Sequence, residues 1–247
     1  MARAEAERAL ANDASDGAAN NLLANLLYRP YQWEEARRVV DRALSYNPGS
    51  SAMRMISATL LAEQGRTPEA LVEARRAVDL DPRYWANHGT LGFLHTCTGE
   101  NDAAVEDLER AWELAPGAPF LRELLADAYH RSGKDEAALQ AATRELPPEL
   151  VGLEDAMTPG FRQAGFQGAS RRALEWRVAS SGDHCTGEAV RTARTLAMLG
   201  EADWMFECLR EAIDRRDRVF LKADPAYNPF RADPRFAALL RRMNLAE

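Results

Sequence analysis

The chain has 247 residues, with three cysteines, no surplus of positive charge and no unbroken apolar run of membrane-spanning length. Cys97, Cys185 and Cys208 cannot all pair within one chain, and their spacing matches no disulfide framework, which points to a reducing compartment. A spanning helix needs about 20 apolar residues. The opening Met-Ala-Arg-Ala-Glu-Ala-Glu puts charges where a signal peptide has its apolar stretch. The expectation is a soluble, cytoplasmic chain with no membrane partner. A net charge of −7 supplies no basic stripe to displace counterions from phosphates, which excludes nucleic acid as a partner of this chain itself. Arg pairs such as Arg37-Arg38, Arg75-Arg76 and Arg171-Arg172 stand beside acidic residues and read as solvated helix faces.

Motifs that declare chemistry are missing as well. There is no Gly-x-Ser-x-Gly elbow, phosphate loop, Cys-x-x-Cys or His-Glu-x-x-His. His88 and His95 share a helix face near Cys97, but at positions that pack inside a repeat. No catalytic residue, metal site or cofactor is therefore assigned, and the chain reads as a non-enzyme.

What is present is a beat. Ala36, Ala70, Ala104 and Ala138 each follow the last by 34 residues, and Pro48, Pro82 and Pro116 keep the same interval, as do Ala43, Ala77 and Ala111. Self-similarity at this period marks a stacked array of helical hairpins, each burying its apolar face on its neighbours. Small residues at Gly92 and Ala104 let two helix backbones approach, and Gly99 ends the first helix of its unit in a left-handed conformation. Asn101, Thr67 and Asp135 stand in step at the start of second helices, where a capping side chain is expected.

The Leu91-Gly92 pair, Gly99, the Ala104-Leu108-Ala111 stripe and Pro116 resemble the tetratricopeptide repeat family. That resemblance implies an all-α, right-handed helical-hairpin solenoid, here with a C-terminal helical cap. It divides residues 1–148 into a half unit at 1–16 and units at 17–50, 51–84, 85–118 and 119–148. In the first unit Pro30 and Tyr31-Gln32-Trp33 replace the usual glycine turn, so its first helix should end near Tyr28. An array opening on half a unit leaves an apolar face to be covered by a further domain or a second copy of the chain, giving a possible homo-oligomer. Beyond Pro148 the beat fails. Residues 149–185 read as a connector, its turn at Thr158-Pro159-Gly160, followed by an irregular long helix. Residues 186–247 read as a final hairpin, a Pro-rich turn and a capping helix begun by Asp233-Pro234.

The tail Leu221-Lys222-Ala223-Asp224-Pro225 and Pro229-Phe230-Arg231-Ala232-Asp233-Pro234-Arg235-Phe236 resembles the end of the C-terminal repeat region of bacterial winged-helix transcriptional regulators and of repeat-bearing kinases and cyclases. This implies a sensory or interaction module, without the effector activity. The resemblance to the tetratricopeptide repeat family implies a protein or peptide in a concave groove lined by Asn21, Asn25, Tyr28, Arg29, Met55, Thr59, Glu63, Phe93, Thr96, Phe120, Glu123, Asp127, His130 and Arg131. The family's chaperone-receptor clamp is absent, because Ile56, Ala86 and Thr90 occupy its polar positions. Two alternatives stand beside peptide binding: a self-associating scaffold, and a small-molecule or enzymatic pocket where the array meets the final hairpin.

Overall fold

The computed structural model describes residues 1–29, 31–185 and 187–245 and, at Pro119, the backbone alone; Pro30, read as part of the first unit's turn, lies outside the described residues. Among them every regular element is helical. The helices are α1 (Ala2–Asn12), α2 (Gly17–Tyr28), α3 (Trp33–Tyr46), α4 (Ser51–Glu63), α5 (Thr67–Leu80), α6 (Trp85–Thr98) and α7 (Asn101–Leu114). They continue with α8 (Pro119–Arg131), α9 (Asp135–Ala142), α10 (Leu153–Ser181), α11 (Ala189–Leu199), α12 (Ala202–Asp214) and α13 (Pro234–Arg242). Each packs chiefly on its neighbours in the chain, the pattern of a helical-hairpin solenoid.

The sequence beat is a packing beat. Ala36, Ala70, Ala104 and Ala138 occupy one place on α3, α5, α7 and α9, and all four are fully buried. A Cβ on Gly92 would stand 2.6 Å from Leu108 Cγ and 3.1 Å from the Ala104 carbonyl oxygen, so the small residues permit the α6–α7 crossing. Asp16 caps α2 by accepting from the amides of Ala18 and Ala19, and Asp233 caps α13 through the amide of Arg235. Gly99 takes a φ of +79° where α6 ends. Asn101 is not a cap. It is the first helical residue of α7, and its Nδ2 donates to the Arg131 carbonyl at 3.2 Å, tying one hairpin to the next.

Residues 149–161 are not a plain connector. Leu153 opens α10, and the break comes at Ala164–Gly165, where φ/ψ leave the helical region. The chain then doubles back: a Cβ on Gly160 would lie 2.3 Å from the Gly168 carbonyl oxygen. Gly160, read from sequence as part of a turn, and Gly168 let two helical arms cross backbone to backbone, and the turn itself is made at Gly165, with a φ of +60°. One more hairpin thus fills the supposed gap in the array.

The cysteines need a second correction. Cys185 and Cys208 are joined in a disulfide, their Cα atoms 5.5 Å apart, because the loop before α11 folds against α12. Cys97 is free.

The two ends of the array also meet. One continuous core takes in Ala6, Leu27, Tyr31 and Val40 from the first helices and Leu196, Phe206, Ile213 and Leu239 from the last. Trp33 Nε1 donates to the Met243 carbonyl at 2.6 Å, Asn244 Nδ2 to that of Tyr31 at 3.3 Å, and the Tyr31 hydroxyl to that of Ile213 at 3.3 Å. The C-terminal helix therefore covers α12 and also seats its tail on the unusual Tyr31-Gln32-Trp33 turn. That turn keeps a φ of +58° at Tyr31, and its aromatic rings form this junction. α1 buries Ala6 and Leu10 in this core and exposes Arg3, Glu5, Glu7 and Arg8, with Arg3 donating to Gln32 Oε1 at 3.4 Å and Glu35 Oε1 at 2.7 Å.

Candidate functional site

Closing the array encloses a space. The first helices of successive hairpins form one wall, and residues 217–226 cross the opening as a strap, leaving a cavity of about 820 Å³. Its surface is mostly apolar, with Met55 from α4, Trp85 and Phe93 from α6, Phe120 from α8, Met157, Phe166 and Leu174 from α10, and Phe220 from the strap. The Trp85 and Phe120 ring centroids lie 5.4 Å apart with their planes inclined at 45°, and Phe120 is 48% exposed.

The strap is held by a buried carboxylate. Glu63, fully buried at the end of α4, accepts from the Phe220 amide at 3.1 Å and from the Tyr28 hydroxyl. Burial pushes Glu63 up to about 7, although the Tyr28 hydroxyl, the amides of Phe220 and Val219 and the nearby Arg218 all favour its charge. The Tyr28 phenol is raised too, by burial and then by Glu63. Arg218 lies 5.0 Å over the Tyr28 ring and donates to Asn25 Oδ1 at 2.9 Å.

A second polar knot crosses the cavity. Arg194 on α11 donates to Asp224 of the strap at 2.6 Å and to Asp127 of α8 at 3.0 Å. Burial opposes its charge, but Asp224 and Asp127 together hold it above the ordinary arginine range. Arg131 shares Asp127, at 3.0 Å.

Of the sequence-predicted residues, Met55, Thr59, Phe93, Phe120, Glu123, Asp127 and Arg131 line the cavity. The others do not. Tyr28, Glu63 and Asn25 are engaged by the strap, and Asn21 accepts from Asn25 Nδ2 at 2.9 Å. Thr96 is buried and donates to the Gly92 carbonyl. His130 bonds Asp135 at 2.6 Å with its ring 5.3 Å from Phe166, and Arg29 is exposed outside the cavity. His88 and His95 are both buried and share Asp107, at 3.3 and 3.0 Å. Sequence reasoning missed Arg177, Arg191, Arg194 and the strap, all beyond the regular repeats, where no period marks which residues face inward.

Residues 32–84 and 98–149 match the family model described as tetratricopeptide repeat. A TPR repeat-containing thioredoxin, TTL4, of Arabidopsis thaliana is 36% identical over 98 residues, 40% of this chain and 14% of that protein. DnaJ homolog subfamily C member 7 of Mus musculus is 26% identical over 176 residues, 71% of this chain and 31% of that one. The chain thus spans less than a third of the length of either relative. Among solved structures, a tetratricopeptide repeat protein from Parabacteroides merdae superposes with a TM-score of 0.60 at 16% identity, covering 98% of this chain and 91% of that one. Pseudomonas aeruginosa pilF gives 0.54 at 16%, covering 94% of this chain and 100% of the other. These two likenesses show the fold alone.

Proposed function

We propose that this chain, whose residues 32–84 and 98–149 match tetratricopeptide repeats, is a non-enzymatic scaffold whose inner cavity receives a short segment of a protein partner. The observation that carries this reading is the cavity itself. Its volume of about 820 Å³ falls in the range of binding pockets, and it joins aromatic walls to a few placed charges. A ligand there touches both the repeat wall and the strap, so it favours the conformation in which the ends of the array are joined. That coupling supports the finer proposal of a sensory or interaction module in a bacterial transcriptional or signalling regulator, suggested by the Leu221–Phe236 tail. The Cys185–Cys208 disulfide favours an oxidising environment over the cytoplasmic location that the cysteine count suggested. Among the described residues no helix is long and apolar enough to cross a membrane.

The test is a peptide array probed with the full chain and with Phe120→Ala, each hit then titrated in solution. The proposal expects Phe120→Ala to weaken the best peptide by about tenfold or more, the loss of a buried aromatic anchor. Equal binding by the two chains refutes it.

A further inference from the structure

The charges that line the cavity cancel, with carboxylates and arginines in equal number. Glu123 lies 2.8 Å from Arg191 and 3.6 Å from Arg177, and Glu188 lies 3.5 Å from Arg177 and also pairs with Arg191. Asp127 and Asp224 share Arg194, at 3.0 and 2.6 Å. A charge carried in from water would meet no surplus of the opposite sign, and its desolvation would go uncompensated. The segment that suits this space is uncharged.

Three of the lining rings stand in a row at the starts of α6 and α8. The Tyr84 and Trp85 centroids are 6.3 Å apart and those of Trp85 and Phe120 5.4 Å apart. Tyr84 and Phe120 are 41% and 48% exposed, so this end of the cavity is open to a partner. Among the described residues the Trp85 indole N–H has no acceptor, and the Thr90 and Ser170 hydroxyls, which also line the cavity and can donate, have no partner. The second oxygen of Glu123 lacks a donor but is buried. The polar groups left open are therefore able to donate, while the carboxylates are spent on arginines. An ordinary segment would bring N–H groups into this apolar space and leave them unpaired. Proline brings none, and a proline-rich segment still offers carbonyls. Its polyproline II helix advances about 3.1 Å per residue, so rings 5.4 and 6.3 Å apart stand roughly two residues apart along it. Aromatic-lined grooves recognise such a helix because it is formed before it binds.

We infer that Tyr84, Trp85 and Phe120 receive an uncharged, proline-rich segment of the partner in polyproline II form, with the Trp85 N–H donating to one of its carbonyls. The inference rests on the cavity being a binding site and names the chemistry of what enters it.

Three capped peptides test it in calorimetric titrations of the full chain: acetyl-pentaproline amide, acetyl-Pro-Val-Pro-Val-Pro amide and acetyl-Pro-Pro-Lys-Pro-Pro amide. Valine matches proline in carbon count but restores two N–H groups, and lysine adds a charge. Pentaproline is expected to bind at least about tenfold more tightly than either relative. Trp85→Phe keeps a ring and loses the N–H, and should weaken pentaproline about three- to tenfold, the scale of one hydrogen bond. Tyr84→Ala removes an exposed ring without opening the core and should weaken it by a similar factor. Pentaproline that does not bind, that binds no more tightly than its relatives, or that loses nothing in both variants overturns the inference. If such a result accompanies an array peptide whose binding depends on Phe120, the proline assignment falls and the cavity reading stands. Without any Phe120-dependent peptide both fall.

Discussion

Glu63 offers a quantitative test of whether the strap is seated in solution. In the folded chain its carboxyl is raised to about 7 from an ordinary 4.5, so the native state holds a proton that the unfolded chain has released. A raised folded value means that this contribution to stability is present in full below about 4.5 and is lost as pH rises through about 7. Integrated from pH 5 to pH 8, Glu63 removes roughly 2–3 kcal/mol from the unfolding free energy. Glu63→Gln imitates the neutral carboxyl: its amide oxygen still accepts from the Phe220 amide, and its NH₂ can donate to the Tyr28 hydroxyl. Urea unfolding across this range should therefore give a flatter pH profile for Glu63→Gln. The variant should match the parent near pH 5 and exceed it by roughly 2–3 kcal/mol at pH 8, or roughly 5–10 °C in unfolding temperature. Tyr28, Tyr31, Tyr227 and Arg218 act on or around the same carboxyl, and none of them changes between the two chains. Parallel pH profiles would refute the reasoning, because they require a Glu63 that is solvated and ionised in the native state.

Three further outcomes follow from named contacts. Reducing the Cys185–Cys208 disulfide, which closes a loop with a sequence separation of 23, should lower stability by about 3 kcal/mol on the chain-entropy account, seen as a dithiothreitol-dependent drop in melting temperature. An unchanged melt with free thiols confirmed by mass would refute this. Gly160→Ala should cost roughly 1–3 kcal/mol in urea unfolding, since its methyl group would meet the Gly168 backbone, whereas Gly99→Ala strains only a left-handed cap and meets no neighbour. A smaller loss at Gly160 than at Gly99 would contradict the backbone crossing. Arg194→Met should cost about 3–5 kcal/mol at neutral pH, because Asp224, 1% exposed, then keeps a buried charge without its arginine. A loss below about 1 kcal/mol in urea unfolding would argue against the pairing.

The helices of the array were legible because each hairpin touches mainly the next, so its demands recur every 34 residues. The recurring alanines are the fully buried residues of α3, α5, α7 and α9, and Gly99 and Asp233 terminate helices as their chemistry requires. Legibility failed where a contact happens only once. Nothing in Thr158-Pro159-Gly160 distinguishes a turn from a helix that needs bare backbone for a crossing. The residues assigned to the groove divide between cavity wall and strap contacts for a related reason. Tyr28 and Glu63 are engaged with each other and with the Phe220 amide of the strap, a contact between residues 157 apart that no repeat period records.

By itself the sequence determined the repeat, the helical class and the places where most helices start and stop, since all three depend on near neighbours in the chain. Tertiary structure alone decided that the array closes through Trp33 and Met243, 210 residues apart, that two of the three cysteines pair, and that Arg177 and Arg191 meet at Glu123. Such encounters depend on the accumulated curvature of the whole stack, a sum of small rotations that no local pattern of residues records.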